Sequence, residues 1–223
     1  MPEGFGAGEV AHHLGHGHDD RRAEMIEILE AILLAIVAVA TAWSGYQAAR
    51  WDGRQAHLYG LSSKTRLLGA QAATRGGQQQ IYDTSTFSFW LQSYTGGNKV
   101  AARVFVRRFR DEYRPAFAAW LKTDPFHNPK APRAPILMPQ YHNAELEASA
   151  KYEERASALF ETGTAARETG DKYLRNTVLL ATVLFLTALA QRFKVRKVRL
   201  GLIGVSGVLL VIALYFVGSY PTA

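Results

Sequence analysis

Four groups of side chains carry the chemistry this sequence can offer. The first is His12, His13, His16 and His18, followed by Asp19 and Asp20. Neutral imidazole beside carboxylate is a ligand set for a first-row metal ion. Gly15 and Gly17 interrupt it and give no preformed geometry, so a flexible polar tail whose histidines do nothing or follow pH is the simpler account, and the four are weak metal candidates. The second group is Glu24, Glu27 and Glu30, three residues apart at the start of an apolar run. In an oligomer, Glu27 and Glu30 can ring the cytoplasmic mouth of a cation pore. Acids in the first turns of a helix also simply favour its dipole. The third is an arginine stripe, Arg103, Arg107, Arg110 and Arg114, beside an aromatic stripe of Phe105, Phe109 and Tyr113. That pairing suits one face docked on a core and another facing an anionic ligand or surface, with Asp111 and Glu112 partly compensating the charge.

The fourth group, Ser62-Ser63-Lys64 with His57, His127 and His142, resembles scattered hydrolase parts. It lacks the Ser-x-x-Lys spacing or the strand–turn–helix elbow that activates a nucleophile. No phosphate loop, dinucleotide-binding glycine pattern or paired-histidine zinc motif is present. The chain has no cysteine, which excludes disulfides, thiolate metal sites and thiol catalysis. We therefore expect no enzymatic activity and no cofactor.

The elements that position these groups are set by three apolar runs. Residues 200–219 contain about 20 positions without a charge, enough to cross a hydrocarbon core as a helix. Residues 173–191 hold a shorter clean stretch, which Tyr173, Arg175 and Asn176 lengthen through the interface. The first run, within residues 23–46, has signal-peptide traits: Arg21-Arg22 before it and Ala40-Thr41-Ala42 at its end. Met25, Ile26, Ile28 and Leu29 extend it, and Trp43 and Tyr46 form an interfacial belt, so we expect a retained span.

Between the last two runs lie Arg192, Lys194, Arg196, Lys197 and Arg199, five bases in eight residues with no acid. Short basic loops stay in the cytoplasm. The expected topology is therefore N-terminus inside, C-terminus and main helical domain outside, in a bacterial inner membrane. The net charge of +7 comes largely from this loop and from residues 99–133. Both fit lipid headgroups better than nucleic acid, which is not expected as a partner.

The expected fold is all-α: three transmembrane helices with an extracytoplasmic antiparallel helical stalk and a small helical head. Residues 1–22 read as a disordered His/Gly-rich cytoplasmic tail, 47–78 as the outgoing stalk helix and 79–142 as the head. Residues 143–172 form the returning helix, 192–199 the basic loop and 220–223 a tail. In the head we expect a helix over 78–94, a break at Gly96-Gly97 and a helix from Asn98 to about Lys122, disturbed by Pro115. Five prolines make residues 124–139 an irregular loop.

Small residues recur at Gly45, Ala49, Gly53, Ala56 and Gly60, and again at Gly163, Ala166 and Gly170, the latter within a stripe from Ser149 to Tyr173. Small residues let two helix backbones approach closely. The two stripes are expected to face each other in the stalk, leaving Trp51, Leu58, Leu61 and Leu68 as a second apolar face. Gly201, Gly204 and Gly207 offer a similar face on the last span.

Around Trp43-Ser44-Gly45-Tyr46-Gln47-Ala48-Ala49-Arg50-Trp51 the chain resembles a family of uncharacterised bacterial membrane proteins. The resemblance implies one span, a helical excursion and two closing spans around a basic turn; it implies no activity. The function expected is that of a structural or accessory subunit of a membrane assembly, or a self-associating scaffold. Its partners would be membrane lipids and either copies of itself or other membrane subunits. The alternatives are a homo-oligomeric ion channel and an extracytoplasmic sensor of an anionic ligand.

Overall fold

The computed structural model describes residues 7–193 and 195–223, with side chains from Glu24 onward. Its elements are α1 (Ala7–Thr95), α2 (Lys99–Arg108), α3 (Arg114–Leu121), a 3-10 turn (Pro135–Leu137), α4 (Ala144–Ala190) and α5 (Arg196–Ser219). Every regular element among the described residues is a helix, and α1, α4 and α5 each contain a stretch long and apolar enough to cross a membrane. No proline interrupts α1, so first span, outgoing segment and first head helix are one helix rather than three. Extending an existing helix adds one hydrogen bond per residue without a new nucleation cost. The same reasoning corrects the tail, whose backbone is helical from Ala7; residues 1–6 lie outside the described residues. It also joins residues 144–190 into α4 and draws Arg196, Lys197 and Arg199 out of the basic loop into α5.

The chain divides into two compact units, residues 1–57 with 162–223, and residues 58–161. In the first, the buried positions of α1 are Glu30, Leu33, Val37, Ala40, Ser44, Gln47 and Trp51. They alternate steps of three and four, the spacing that keeps one narrow face toward a partner helix. Tyr173, Asn176, Leu180, Val183, Thr187 and Ala190 repeat the pattern on α4, as do Ile203, Ser206, Leu210 and Ala213 on α5. Leu33, Val37, Ala40, Leu180, Val183, Leu210 and Ala213 form the core. Val39, Val178, Phe185, Val208 and Val211 stay exposed on other faces. Helices apolar on all sides belong in lipid rather than water.

The small-residue stripe of α1 does not face α4. Gly45, Gly53 and Gly60 have open space where a side chain would stand, and Ala49 and Ala56 are exposed. The packed face, at Ser44, Gln47 and Trp51, is offset by one or two positions, because it continues the phase set by Leu33, Val37 and Ala40. On α4 the expected stripe does pack: Gly163 and Ala166 are buried, and a Cβ on Gly170 would lie 3.4 Å from Trp51 Cβ. Glycine on one helix thus accommodates tryptophan on the other. Of the proposed second face, Trp51 is buried and Leu58 half-buried, whereas Leu61 and Leu68 are exposed.

In the second unit the close approaches are at Gly69, whose Cβ would meet Tyr152 Cβ at 3.1 Å, and Gly76, whose Cβ would meet the Leu146 side chain at 2.7 Å. These sites reverse the usual effect of replacing a helical glycine. Gly77→Ala, where nothing lies within 4 Å of a built Cβ, should raise stability by about 0.5–1 kcal/mol through helix propensity. Gly76→Ala should lower it by about 1–3 kcal/mol through overpacking. Thermal unfolding of the two variants side by side checks the opposite signs.

The second unit is completed by an aromatic cluster. Helix α1 ends where Gly97, at φ 77°, donates to Tyr94 O while Asn98 N–H reaches Ser93 O. A glycine in the left-handed region closes the helix at low steric cost. Asn98 then caps α2 as expected, accepting from Ala101 N–H at 3.0 Å. The single helix expected over 98–122 is two. Phe109 turns extended (φ −62°, ψ 137°), and Pro115 sits in the first turn of α3, where its missing N–H is harmless. This break lets Phe109, Tyr113, Phe117 and Trp120 all reach the core with Phe87 and Trp90. The proline-rich segment packs against the cluster through Trp120 Nε1, which donates to Pro132 O at 2.6 Å. Asn143 starts α4, accepting from Leu146 N–H and donating to Gly76 O at 3.0 Å.

Candidate functional site

Glu30, the pore candidate, is committed elsewhere. Its carboxylate is 2% exposed and accepts from Arg199 Nε and Nη2, both at 2.8 Å. The two-point geometry is the strong form of a charge-assisted pair. The helical phase of α1 turns Glu30 inward with Leu33 and Val37, and the start of α5 at Arg196 lets Arg199 meet it. Glu27 remains exposed. Of the basic cluster, Arg192, Arg196 and Lys197 are exposed and Lys194 lies outside the described residues. Arg199 therefore makes a tertiary contact, which spacing alone does not reveal.

The residues of the Tyr-Gln-Ala element do structural work in the same unit. Ser44 Oγ donates to Tyr173 O at 2.9 Å. Residues 220–223, read only as a tail, lie along this face. Gln47 Oε1 accepts from Ala223 N–H at 3.0 Å, Trp51 Nε1 donates to Pro221 O at 3.1 Å, and the Tyr173 hydroxyl donates to Tyr220 O at 3.3 Å. Arg50, itself exposed, donates to the Tyr46 hydroxyl at 3.2 Å and to Ala223 O at 3.4 Å. Asn176 and Ser206 bury side-chain polar atoms that have no partner among the described residues.

In the second unit the arginine stripe is split. Asp83, fully buried, accepts from Arg110 Nε at 3.1 Å and Nη2 at 3.1 Å, and from the Tyr141 hydroxyl at 3.1 Å. Arg110 also pairs with Glu112. It belongs to this buried network rather than to an anion-binding face, and its hydrogen bond to Asp83 holds its pKa above the ordinary value. Burial pushes the phenol of Tyr113 upward, with the Asp83 charge adding to the effect; burial does the same at Tyr141. Arg114 pairs with Asp111 at 3.0 Å. Arg103 and Arg107 are exposed and form no ion pair among the described residues. Asp83 is the member that sequence reading missed. An acid on a helix flanked by polar residues gives no signal of burial until Arg110 and Tyr141 are brought to it.

Arg103 joins Lys99 on the edge of a cleft of about 500 Å³, walled by Trp90 and Tyr94 of α1 and Phe117 and Leu121 of α3. The other sequence candidates stay apart. Ser62 is buried and donates to Ala156 O at 2.7 Å, while His127 pairs with Asp124 and His142 with Glu147, both at the surface. The side chains of His12, His13, His16 and His18 lie outside the described residues. Among the described residues, no group of three or more His, Asp or Glu side chains is arranged to hold a metal. Comparison with family models, curated proteins and solved structures gives no match.

Proposed function

We propose that the chain is a non-enzymatic, three-span protein of a bacterial inner membrane. It acts as a structural or accessory subunit that associates through its outer helix faces. The topology follows the basic turn, with the N-terminus cytoplasmic and the residues between the first two spans displayed outside as a helical stalk and head.

The observation that carries the association reading is the outward direction of two small-residue stripes in the first unit. Gly45 and Gly53 on α1, and Gly201 and Gly204 on α5, have nothing within 4 Å of a built Cβ. Glycine costs about 1 kcal/mol against alanine in a helix. Glycines that serve no contact inside the chain are accounted for by close approach of a helix from another subunit. The pore reading lacks comparable support, because both oxygens of Glu30 are held by Arg199.

The test is native mass spectrometry of protein extracted gently from its own membranes. We expect a defined assembly, a homo-oligomer or a complex with other stoichiometric chains. Gly45→Leu/Gly53→Leu or Gly201→Leu/Gly204→Leu should dissociate it at least tenfold more readily with the helical content retained. A monomer throughout, or an assembly indifferent to both pairs, defeats the reading.

A further inference from the structure

The two longest helices each carry a row of charge repeated every seven residues. On α1 the row is Arg50, His57 and Lys64; on α4 it is Glu154, Glu161 and Glu168. All six are exposed. Seven residues make nearly two full turns, so each row keeps to one side of its helix.

Contacts inside the chain use other acids. In the second unit Glu153 pairs with Arg66 and Glu145 with Arg75, both at 3.5 Å. Glu154, Glu161 and Lys64 form no ion pair among the described residues. Helical phase is the reason. Ala156 is fully buried where Ser62 donates to its carbonyl, and it lies about 200° around α4 from Glu154. The glutamate row therefore points away from α1 of its own chain. On α1, Lys64 borders a face of Gly60, Ser63 and Leu67, which is exposed and uncharged.

The rows also match in height along the antiparallel helices. Ser62 is level with Ala156; Lys64 lies two residues after Ser62, and Glu154 two residues before Ala156. In the first unit Ser44 is level with Tyr173, and Arg50 and Glu168 lie six and five residues beyond that contact. Copies inserted with one topology are related by an axis along the membrane normal, which leaves every residue at its own height. The cation row of one copy is thus level with the glutamate row of the next. Small residues such as Gly60 and Ser63 let a neighbouring helix approach closely enough for the rows to meet.

We propose that α1 of one copy packs antiparallel on α4 of a second copy, with Lys64 opposite Glu154 and Arg50 opposite Glu168. Unlike faces meet, so repetition around the axis forms a ring. This rests on the association reading above and names its partner as the chain itself. Exposed ion pairs add little affinity, but opposed rows fix which faces meet and in what register.

The chain has no cysteine, so introduced cysteines report without background. Lys64→Cys and Glu154→Cys chains with different tags are co-expressed and treated in their own membranes with a short bis-maleimide. The mixed dimer is expected to dominate over either same-variant dimer. Lys64→Glu and Glu154→Lys should each make the assembly dissociate about fivefold more readily, as attraction becomes repulsion. Both changes in one chain should restore wild-type behaviour. All these positions are exposed, and circular dichroism confirms that each variant is folded. Same-variant dimers without the mixed product, or a double variant no better than the singles, overturn the pairing. An intact assembly in native mass spectrometry with no mixed product defeats this inference alone, whereas a monomer defeats the association reading as well.

Discussion

Arg199→Ala should destabilise the three-helix unit by about 3–5 kcal/mol, because it strands the Glu30 carboxylate in a buried site. Glu30 has no other hydrogen-bond partner among the described residues, and its side chain is nearly inaccessible. The reciprocal change should cost less. Arg199 is about a quarter exposed, and a long guanidinium side chain freed by Glu30→Ala can snorkel toward water. Replacing both by leucine should recover most of the loss, since an apolar pair of similar volume often matches a buried ion pair. Unfolding in a detergent titration, run on wild type, both alanine variants and the double alanine variant, yields the coupling energy directly, with the double leucine variant read beside them. Additive single effects would mean that the bidentate contact does not hold the helices together.

Asp83→Ala should unfold the second unit by a comparable margin, about 3–5 kcal/mol, by removing the one acceptor shared by Arg110 and Tyr141. The effect should be local: near-ultraviolet dichroism from the Phe87, Trp90 and Trp120 cluster should collapse while most helical signal remains. The same network predicts alkali sensitivity. Burial holds the Tyr113 and Tyr141 phenols above their ordinary pKa, so the folded unit keeps protons that the unfolded chain releases. Their contribution is therefore intact below about pH 10 and declines as pH rises beyond that toward the folded values. Tyr113→Phe should flatten the decline between about pH 10 and 11.5. An unchanged slope would place the sensitive group elsewhere.

How far the sequence alone determines this protein follows from which forces are local. Span length, the end of α1 at Gly96-Gly97, the Asn98 cap and the irregular proline segment depend on neighbours within a few residues, and all four are legible in sequence. Helix phase is only partly so. Choosing the inward face of α1 by residue size selects Gly45 and Gly53, whereas continuing the span's own phase selects Ser44, Gln47 and Trp51. On α4 the two criteria coincide, and Gly163, Ala166 and Gly170 lie on the packed face.

Tertiary structure alone decides the pairings. Glu30 and Arg199 are 169 residues apart, and Asp83 and Tyr141 are 58 apart. Nothing local distinguishes a carboxylate that meets an arginine from one that faces water. Desolvation and the partner's geometry make that distinction, and both exist only once the helices have packed. The break at Phe109 shows the same division. Pro115 announces a disturbance in sequence, but only the packed aromatic cluster and the buried Asp83 settle where the chain turns and that Arg110 leaves its stripe.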